Sequence, residues 1–156
     1  MSQLKFDAIV PSPFGAVGVV AQDDFVTTLT LLPNQQQEKT SEQAFVQSVV
    51  RQIKQYFAKP DQVIDVPIAV KGTPFQRRVW QAISTVPAGK TITYTELAKM
   101  VNSGPRAVAN ACGANQVPLV VPCHRVVAKQ GLGGFMQGED KGLAIKAWLL
   151  QHEQKR

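Results

Sequence analysis

Two helix-start signals in the second half of the chain constrain its fold more than any other feature. Thr73-Pro74-Phe75-Gln76 combines a threonine N-cap, a proline at the first helical position and a glutamine that closes a capping box. Thr93-Tyr94-Thr95-Glu96 repeats the capping-box spacing twenty residues later, with a glutamate in place of the glutamine. Apolar residues follow the first signal at helical spacing: Phe75, Val79, Ile83 and Val86. The sequence therefore predicts helices that begin near residues 74 and 94.

A third short helix is predicted directly after the second of these. Asn102-Ser103-Gly104 turns the chain, and Pro105 begins a segment that runs helically to about Ala114. Two short helices joined by a glycine-containing turn are typical of a helix-turn-helix, although such pairs also occur without any DNA role. Small residues dominate the second helix of the pair, which favours close approach to another surface or tight helix packing: Ala107, Ala109, Ala111, Gly113 and Ala114.

The first half has a different pattern, with three short β-type runs separated by turns. These runs cover Phe6 to Val10, Ala16 to Ala21 and Phe25 to Leu32, and their short connections predict an antiparallel meander. The segment Thr40-Ser41-Glu42-Gln43 then has the pattern of a capping box with Thr40 as N-cap. A helix of core-facing residues is predicted from there to Pro60.

These elements predict an α+β fold of two domains. Residues 1–66 form a small antiparallel sheet plus a helix, and residues 67–156 form a mainly helical domain with a winged-helix-like helix-turn-helix. The first part carries five Lys/Arg against seven Asp/Glu, whereas the second carries twelve against four. A net charge of −2 beside a net charge of +8 favours a polyanion as the partner of the second domain.

Two classes of protein are excluded by the same composition. Two cysteines and two histidines build neither a disulfide framework nor a zinc finger, so no metal is expected. The N-terminus has no basic flank followed by an apolar core, and no run approaches the roughly 20 apolar residues that span a bilayer. We therefore expect a cytoplasmic protein with reduced thiols and no membrane partner.

The candidate for chemistry is Val121-Pro122-Cys123-His124-Arg125-Val126, where a thiol stands beside an imidazole and a guanidinium. A thiolate is the reactive form of cysteine, and cationic or hydrogen-bonding neighbours lower its pKa from about 8.5. Cys-His adjacency alone also fits a buried cysteine that only fills space. The same space-filling role is expected for Cys112.

The full hexamer resembles the active-site signature of the O6-alkylguanine-DNA alkyltransferases. The similarity extends over about residues 73 to 153 and is weak over residues 1–66. It implies a DNA repair protein that flips O6-alkylguanine out of duplex DNA and transfers the alkyl group, mainly methyl, irreversibly to Cys123. Each protein molecule then repairs one lesion, without a cofactor or metal, and a monomer is the default expectation.

The resemblance also implies roles for individual residues. In the family a glutamate orients a histidine that draws the thiol proton through a water molecule, and Glu153 and His124 match these positions beside Cys123. Tyr94 matches a tyrosine that rotates the phosphate and donates to the guanine. Five residues are expected to contact DNA, with Arg106 filling the gap in the base stack: Arg106, Ala107, Asn115, Tyr94 and Arg125.

The expected substrate pocket is where this chain departs from the family pattern. It comprises Pro122, Val126, Phe135, Met136 and Gln137. Phe135 replaces a tyrosine, Gln137 replaces a glycine, and residues 139–142 resemble a short insertion. These departures predict normal methyl removal but poorer acceptance of bulky alkyl or benzyl groups. On the last helix, Lys146 is expected to be structural, and His152 is expected to be exposed.

Three other functions remain open from the residues. A non-catalytic alkyltransferase-like damage sensor binds the same lesions, but such proteins replace the cysteine that is kept here as Cys123. A helix-turn-helix regulator leaves the active-site hexamer without a role. A Cys-His hydrolase has no use for Arg106 or for the basic half of the chain.

Overall fold

A computed structural model describes residues 5–134 and 140–155. The first half contains the predicted meander, with β1 (Ala8–Ser12), β2 (Gly15–Gln22) and β3 (Phe25–Leu32) in one antiparallel sheet. Asp23 and Asp24 connect β2 to β3 with φ angles of 54° and 61°, the left-handed conformation that a tight hairpin turn needs at both positions. The predicted sheet is confirmed.

Helix α1 (Ala44–Ala58) packs against this sheet, but it begins later than the sequence pattern predicts. Thr40 is not its N-cap. Gln43 occupies that position without any side-chain cap, and Ser41 instead accepts a hydrogen bond of 3.1 Å from the Gln43 backbone N–H. The prediction was wrong because the Ser41 hydroxyl bonds to the backbone two residues later, and this local turn competes with the capping box.

The capping boxes of α2 (Pro74–Ile83) and α3 (Tyr94–Met100) are both confirmed. Thr73 accepts from the Gln76 backbone N–H at 3.1 Å while the Gln76 side chain accepts from Thr73 at 3.0 Å. Trp80 on α2 donates its indole N–H to the carbonyl of Ala111 at 2.8 Å, a bond that ties α2 to the next helix but one. The sequence signals therefore place these two helix starts correctly.

Helix α4 (Pro105–Gly113) follows α3 after residues 101–104, and the two helices pack on each other. A 3-10 turn (Cys123–Arg125) leads into β5 (Val126–Val127), which pairs in parallel with β4 (Ile92–Thr93). Helix α5 (Asp140–Glu153) closes the described part of the chain. The β4–β5 pair holds the 3-10 turn beside the start of α3.

One cluster of buried apolar side chains joins the two halves of the chain. The backbone also crosses between them, because Val26 donates its N–H to Pro67 at 2.9 Å and Leu29 donates to Gln116 at 3.0 Å. The domain boundary between residues 66 and 67 stays a prediction. Within residues 5–134 and 140–155, no helix is long and apolar enough to cross a bilayer.

Candidate active site

Cys123 is the first residue of the 3-10 turn and is 5% exposed. Asn115, just past the end of α4, holds the segment in place through both ends of its amide. Its Nδ2 donates to the carbonyl of Val121 at 2.9 Å and to Sγ of Cys123 at 3.2 Å, and its Oδ1 accepts from the N–H of Val117 at 3.0 Å. The amide therefore links α4 to the thiol and gives that sulfur a hydrogen-bond donor.

A second thiol lies near the first one, which the sequence analysis did not predict. Cys112 is in the last turn of α4. Its proximity and burial raise the pKa of Cys123 well above its ordinary value, against the opposing effects of Asn115 and Lys146. The resting Cys123 is therefore a protonated thiol, and it needs a base before it can react. Cys112 precedes Asn115 by three residues, and this spacing is the feature of the sequence that could have predicted its position near Cys123.

His124 supplies a base next to that thiol. Its side chain is 1% exposed, and its Nε2 lies 2.8 Å from Oε2 of Glu153, near the end of α5. Burial lowers the pKa of His124 below its ordinary value, despite the nearby carboxylate. The Nδ1 atom is buried and has no hydrogen-bond partner in the described part of the chain. With Nε2–H directed at the carboxylate, Nδ1 carries the free lone pair that accepts a proton.

Glu153 is the most heavily bonded carboxylate among the described residues. Its Oε2 accepts from Tyr56 Oη at 2.6 Å, from His124 Nε2, and from Arg125 Nη2 at 2.9 Å, and its Oε1 accepts from Arg125 Nε at 2.9 Å. Burial alone would raise the pKa of this carboxyl, but the hydrogen bonds from His124 and Arg125 hold it well below its usual range. Glu153 is therefore an anion throughout the physiological pH range.

Arg125 does not lie where a DNA contact is expected. Its guanidinium makes two bonds to Glu153, and its Nη1 donates to the carbonyl of Val86 at 2.7 Å. Its side chain is 13% exposed. We therefore move Arg125 from the expected DNA contacts to the network around Glu153. A buried carboxylate needs a cationic partner, and Arg125 is that partner.

His152 is also placed differently from the prediction. It is buried rather than exposed, with Nε2 2.9 Å from the carbonyl of Tyr56 and its ring stacked on Trp148 at 4.7 Å. The imidazole also packs against two aromatic rings of α1, Tyr56 and Phe57, at the interface between the two halves of the chain. The sequence shows only that His152 neighbours Glu153, and this does not identify the carbonyl of Tyr56 as the partner of its ring.

The side chains of Tyr94 and Lys146 lie close to each other beside β5, the strand that follows the 3-10 turn. The Tyr94 hydroxyl donates to the carbonyl of Gly134 at 3.3 Å, and burial raises the pKa of Tyr94 above its ordinary value. Lys146 Nζ donates to the carbonyls of Val126 and Gly134 at 2.7 and 2.9 Å, and lies 5.8 Å from the centre of the Tyr94 ring. Burial lowers the pKa of Lys146 to about 8.

Gly133 explains why the chain can pass so close to Tyr94. Its φ is +78°, and a Cβ atom there would lie 2.6 Å from Cε2 of the tyrosine ring. Pro122 and Val126, two expected pocket residues, are buried on either side of the 3-10 turn. The other three expected pocket residues, Phe135, Met136 and Gln137, lie outside the described residues.

The expected DNA contacts of α4 lie at its first turn. Arg106 is exposed and Ala107 is half-buried, whereas Val108 points into the core. The first turn of the helix thus exposes the long cationic side chain of Arg106 beside the small side chain of Ala107. Elsewhere in the described ranges, no group of three or more His, Cys, Asp or Glu side chains is placed to hold a metal ion.

Comparisons with known proteins agree on one family. The sequence model of the "6-O-methylguanine DNA methyltransferase, DNA binding domain" matches residues 74–155. A probable methylated-DNA–protein-cysteine methyltransferase of Acanthamoeba polyphaga mimivirus is 44% identical over 65% of this chain and 67% of its own length. The methylated-DNA–protein-cysteine methyltransferase of Metallosphaera sedula is 33% identical over 91% of this chain and 88% of its own length.

A solved structure supports the same assignment. Mycobacterium tuberculosis OGT, crystallised in complex with DNA, is 33% identical and superimposes with a TM-score of 0.77, over 94% of this chain and 91% of that one. The similarity therefore includes the first half, where the sequence resemblance is weak.

Proposed function

Since the chain belongs to the 6-O-methylguanine DNA methyltransferase family, we propose that it repairs DNA by moving the methyl group of O6-methylguanine onto Sγ of Cys123. The observation that carries the proposal is the 2.8 Å bond between His124 and Glu153, beside a buried thiol that Asn115 holds. One protein molecule repairs one lesion, because a thioether does not readily return to a thiol.

The proton of Cys123 leaves first. A thiol with a raised pKa is a poor nucleophile, and the free lone pair on Nδ1 of His124 accepts its proton through a water molecule. Glu153 stabilises the imidazolium that forms, because its carboxylate remains charged. The donor Nδ2 of Asn115 stabilises the thiolate at 3.2 Å.

Methyl transfer is then a single displacement. The bond between Sγ of Cys123 and the methyl carbon forms while the bond between that carbon and O6 of guanine breaks. The electron pair of the broken bond stays on the base, which takes up a proton and becomes ordinary guanine. The Tyr94 hydroxyl donates that proton, since its raised pKa keeps it protonated at neutral pH.

DNA has to be distorted before this reaction, because O6 of a stacked guanine is out of reach. The target nucleotide is flipped into the pocket, at a cost of a few kcal/mol for unstacking. Arg106, exposed at the start of α4, fills the gap in the stack, and the small residues around Ala107 let the helix lie close to the minor groove. Helices α3 and α4 then act as a helix-turn-helix in a winged-helix-like domain.

The first half of the chain acts as a brace for the second. Its sheet and α1 carry no cysteine or histidine. Tyr56 connects α1 to α5, because its hydroxyl bonds to Glu153 and its backbone carbonyl bonds to His152. We propose a monomer that works in the cytoplasm on nucleoid DNA, with Pro122 and Val126 in a pocket that favours methyl over bulky groups.

An intact-mass experiment tests the proposal. The protein is mixed with a duplex that carries one O6-methylguanine, and any adduct is located by peptide mass. We expect a stoichiometric gain of one methylene on Cys123, with guanine restored in the DNA. Cys112→Ala is the matched control and keeps the gain, whereas Cys123→Ala loses it. Tight binding without a gain would indicate a damage-binding protein, and neither binding nor gain would indicate a regulator or a hydrolase.

A further inference from the structure

Tyr56 lies in the first half of the chain, yet its hydroxyl reaches the carboxylate that orients His124. Its Oη lies 2.6 Å from Oε2 of Glu153, across 97 residues of sequence. Both side chains are buried, at 3% and 1% exposure. The proton relay from Cys123 to Glu153 makes no use of this hydroxyl, and a buried bond of this length to a charged group is a strong one.

The direction of the bond follows from the charges. Glu153 is ionised, so the carboxylate accepts and the tyrosine O–H donates. Burial and the charge of Glu153 raise the pKa of Tyr56 above its ordinary value, so the hydroxyl remains a donor throughout the physiological pH range. The contact is therefore a permanent third donor on Oε2, beside His124 and Arg125.

We propose that Tyr56 is a positioning residue for methyl transfer: its hydroxyl orients Glu153 and takes up part of the carboxylate charge that otherwise acts on His124. This inference rests on the function proposed above. Three donors share Oε2, and each weakens that oxygen as an acceptor for the other two. Tyr56 thus adds to the effect of burial in keeping the imidazole neutral in the resting protein, ready to accept the thiol proton.

The sign of the effect can be worked out from the groups around His124. Arg125 and Lys146 disfavour its protonation by their positive charge, burial does the same, and Glu153 favours it. Removing the Tyr56 hydroxyl leaves more of the Glu153 charge for the imidazolium. The pKa of His124 then rises, and more of the protein holds an already protonated, inactive base at a given acidic pH.

Tyr56 also packs in a purely structural way, which the test has to separate from the effect of its hydroxyl. Its ring contacts Phe57 and His152 at centroid distances of 5.5 and 5.3 Å, and its carbonyl bonds to His152. Tyr56→Phe removes the hydroxyl and keeps the ring. Phe57→Leu disturbs the same aromatic group and leaves the bond to Glu153 in place, so it is the matched control.

The experiment measures the rate of methyl transfer against pH, and DNA affinity, for wild type and both variants. For Tyr56→Phe we expect the acidic midpoint to move up by about half to one pH unit, which is a roughly threefold to tenfold slower rate below that midpoint. DNA affinity stays within about twofold of wild type. Phe57→Leu lowers the melting temperature without moving the midpoint.

An unchanged midpoint in an active Tyr56→Phe protein overturns this inference alone, whereas absence of methyl transfer in wild type overturns the proposed function and the inference with it.

A second test strengthens the hydrogen-bond donor at Tyr56 instead of deleting it. The chain has two tyrosines, so Tyr94→Phe protein labelled with 3-fluorotyrosine carries the label at Tyr56 only. The His124 titration followed by NMR should move to lower pH than in the unlabelled variant, and no movement would count against the inference.

Discussion

Replacing Glu153 by glutamine removes one negative charge and keeps the shape of the side chain. The carboxylate accepts four hydrogen bonds, three on Oε2 and one on Oε1. A carboxamide has one acceptor oxygen, and its NH2 group would face donors on whichever side it lies. With the oxygen at the Oε2 position, the NH2 group meets Nε of Arg125, and the guanidinium loses its counter-charge.

The cost follows from burial and pairing. Glu153 is 1% exposed and Arg125 is 13% exposed, so solvent screens this pair little. Removing one partner of a buried ion pair costs about 3 to 5 kcal/mol of unfolding free energy, because the remaining charge is left uncompensated. With urea slopes of about 1–3 kcal/mol per molar, the urea midpoint of Glu153→Gln falls by roughly 1 to 5 M at pH 7.

The loss of unfolding free energy in Glu153→Gln should also depend on pH in a defined direction. The pKa of Glu153 is lower in the folded protein than its unfolded value of about 4.3. Its stabilisation is therefore complete above that value and disappears as the pH falls through the lower, folded pKa. The difference in unfolding free energy between wild type and Glu153→Gln is thus largest above about pH 5 and becomes smaller in more acidic solution.

Urea titrations at pH 7 and at pH 3.5, followed by tryptophan fluorescence, measure both quantities. Glu38→Gln is the matched control, because Glu38 pairs with Lys54 at 3.0 Å on the surface, where both side chains are about half exposed. That exposed pair contributes at most about 1 kcal/mol. A Glu153→Gln protein as stable as Glu38→Gln at pH 7 would refute the reasoning from the buried network.

Three further outcomes follow from the site. Cys112→Ala should lower the pKa of Cys123 and speed its reaction with iodoacetamide at pH 7 several-fold; slower reaction would show that Cys112 assists the thiolate instead. Arg106→Ala should slow methyl transfer from duplex DNA by at least roughly tenfold. Its reaction with the free O6-methylguanine base should match wild type, and equal losses on both substrates would contradict a role in flipping. Gly133→Ala should lower the melting temperature by forcing a left-handed conformation that costs about 1–2 kcal/mol, and it should displace Tyr94 and slow repair; a wild-type melting temperature would contradict this.

The local parts of this protein were determined by its sequence. The capping boxes at Thr73 and Thr93 are satisfied within four residues of chain, so their pattern specifies two helix starts. The antiparallel meander is equally local, because turn residues join strands that are neighbours in sequence. At Thr40 the same reasoning failed, since Ser41 competes for the same backbone and a pattern does not show which bond is stronger.

The proposed nucleophile and its proposed base were predicted from sequence, because the hexamer around Cys123 and His124 resembles a family signature. Only the tertiary structure decided what surrounds them. Tyr56 and Glu153 are 97 residues apart, and Arg125 turns inward to Glu153 instead of outward to DNA. Cys112, in the last turn of α4, lies close enough to Cys123 to raise the pKa of its thiol. Long-range contacts of this kind depend on how helices pack, and no short pattern in one sequence encodes the partner of a buried charge.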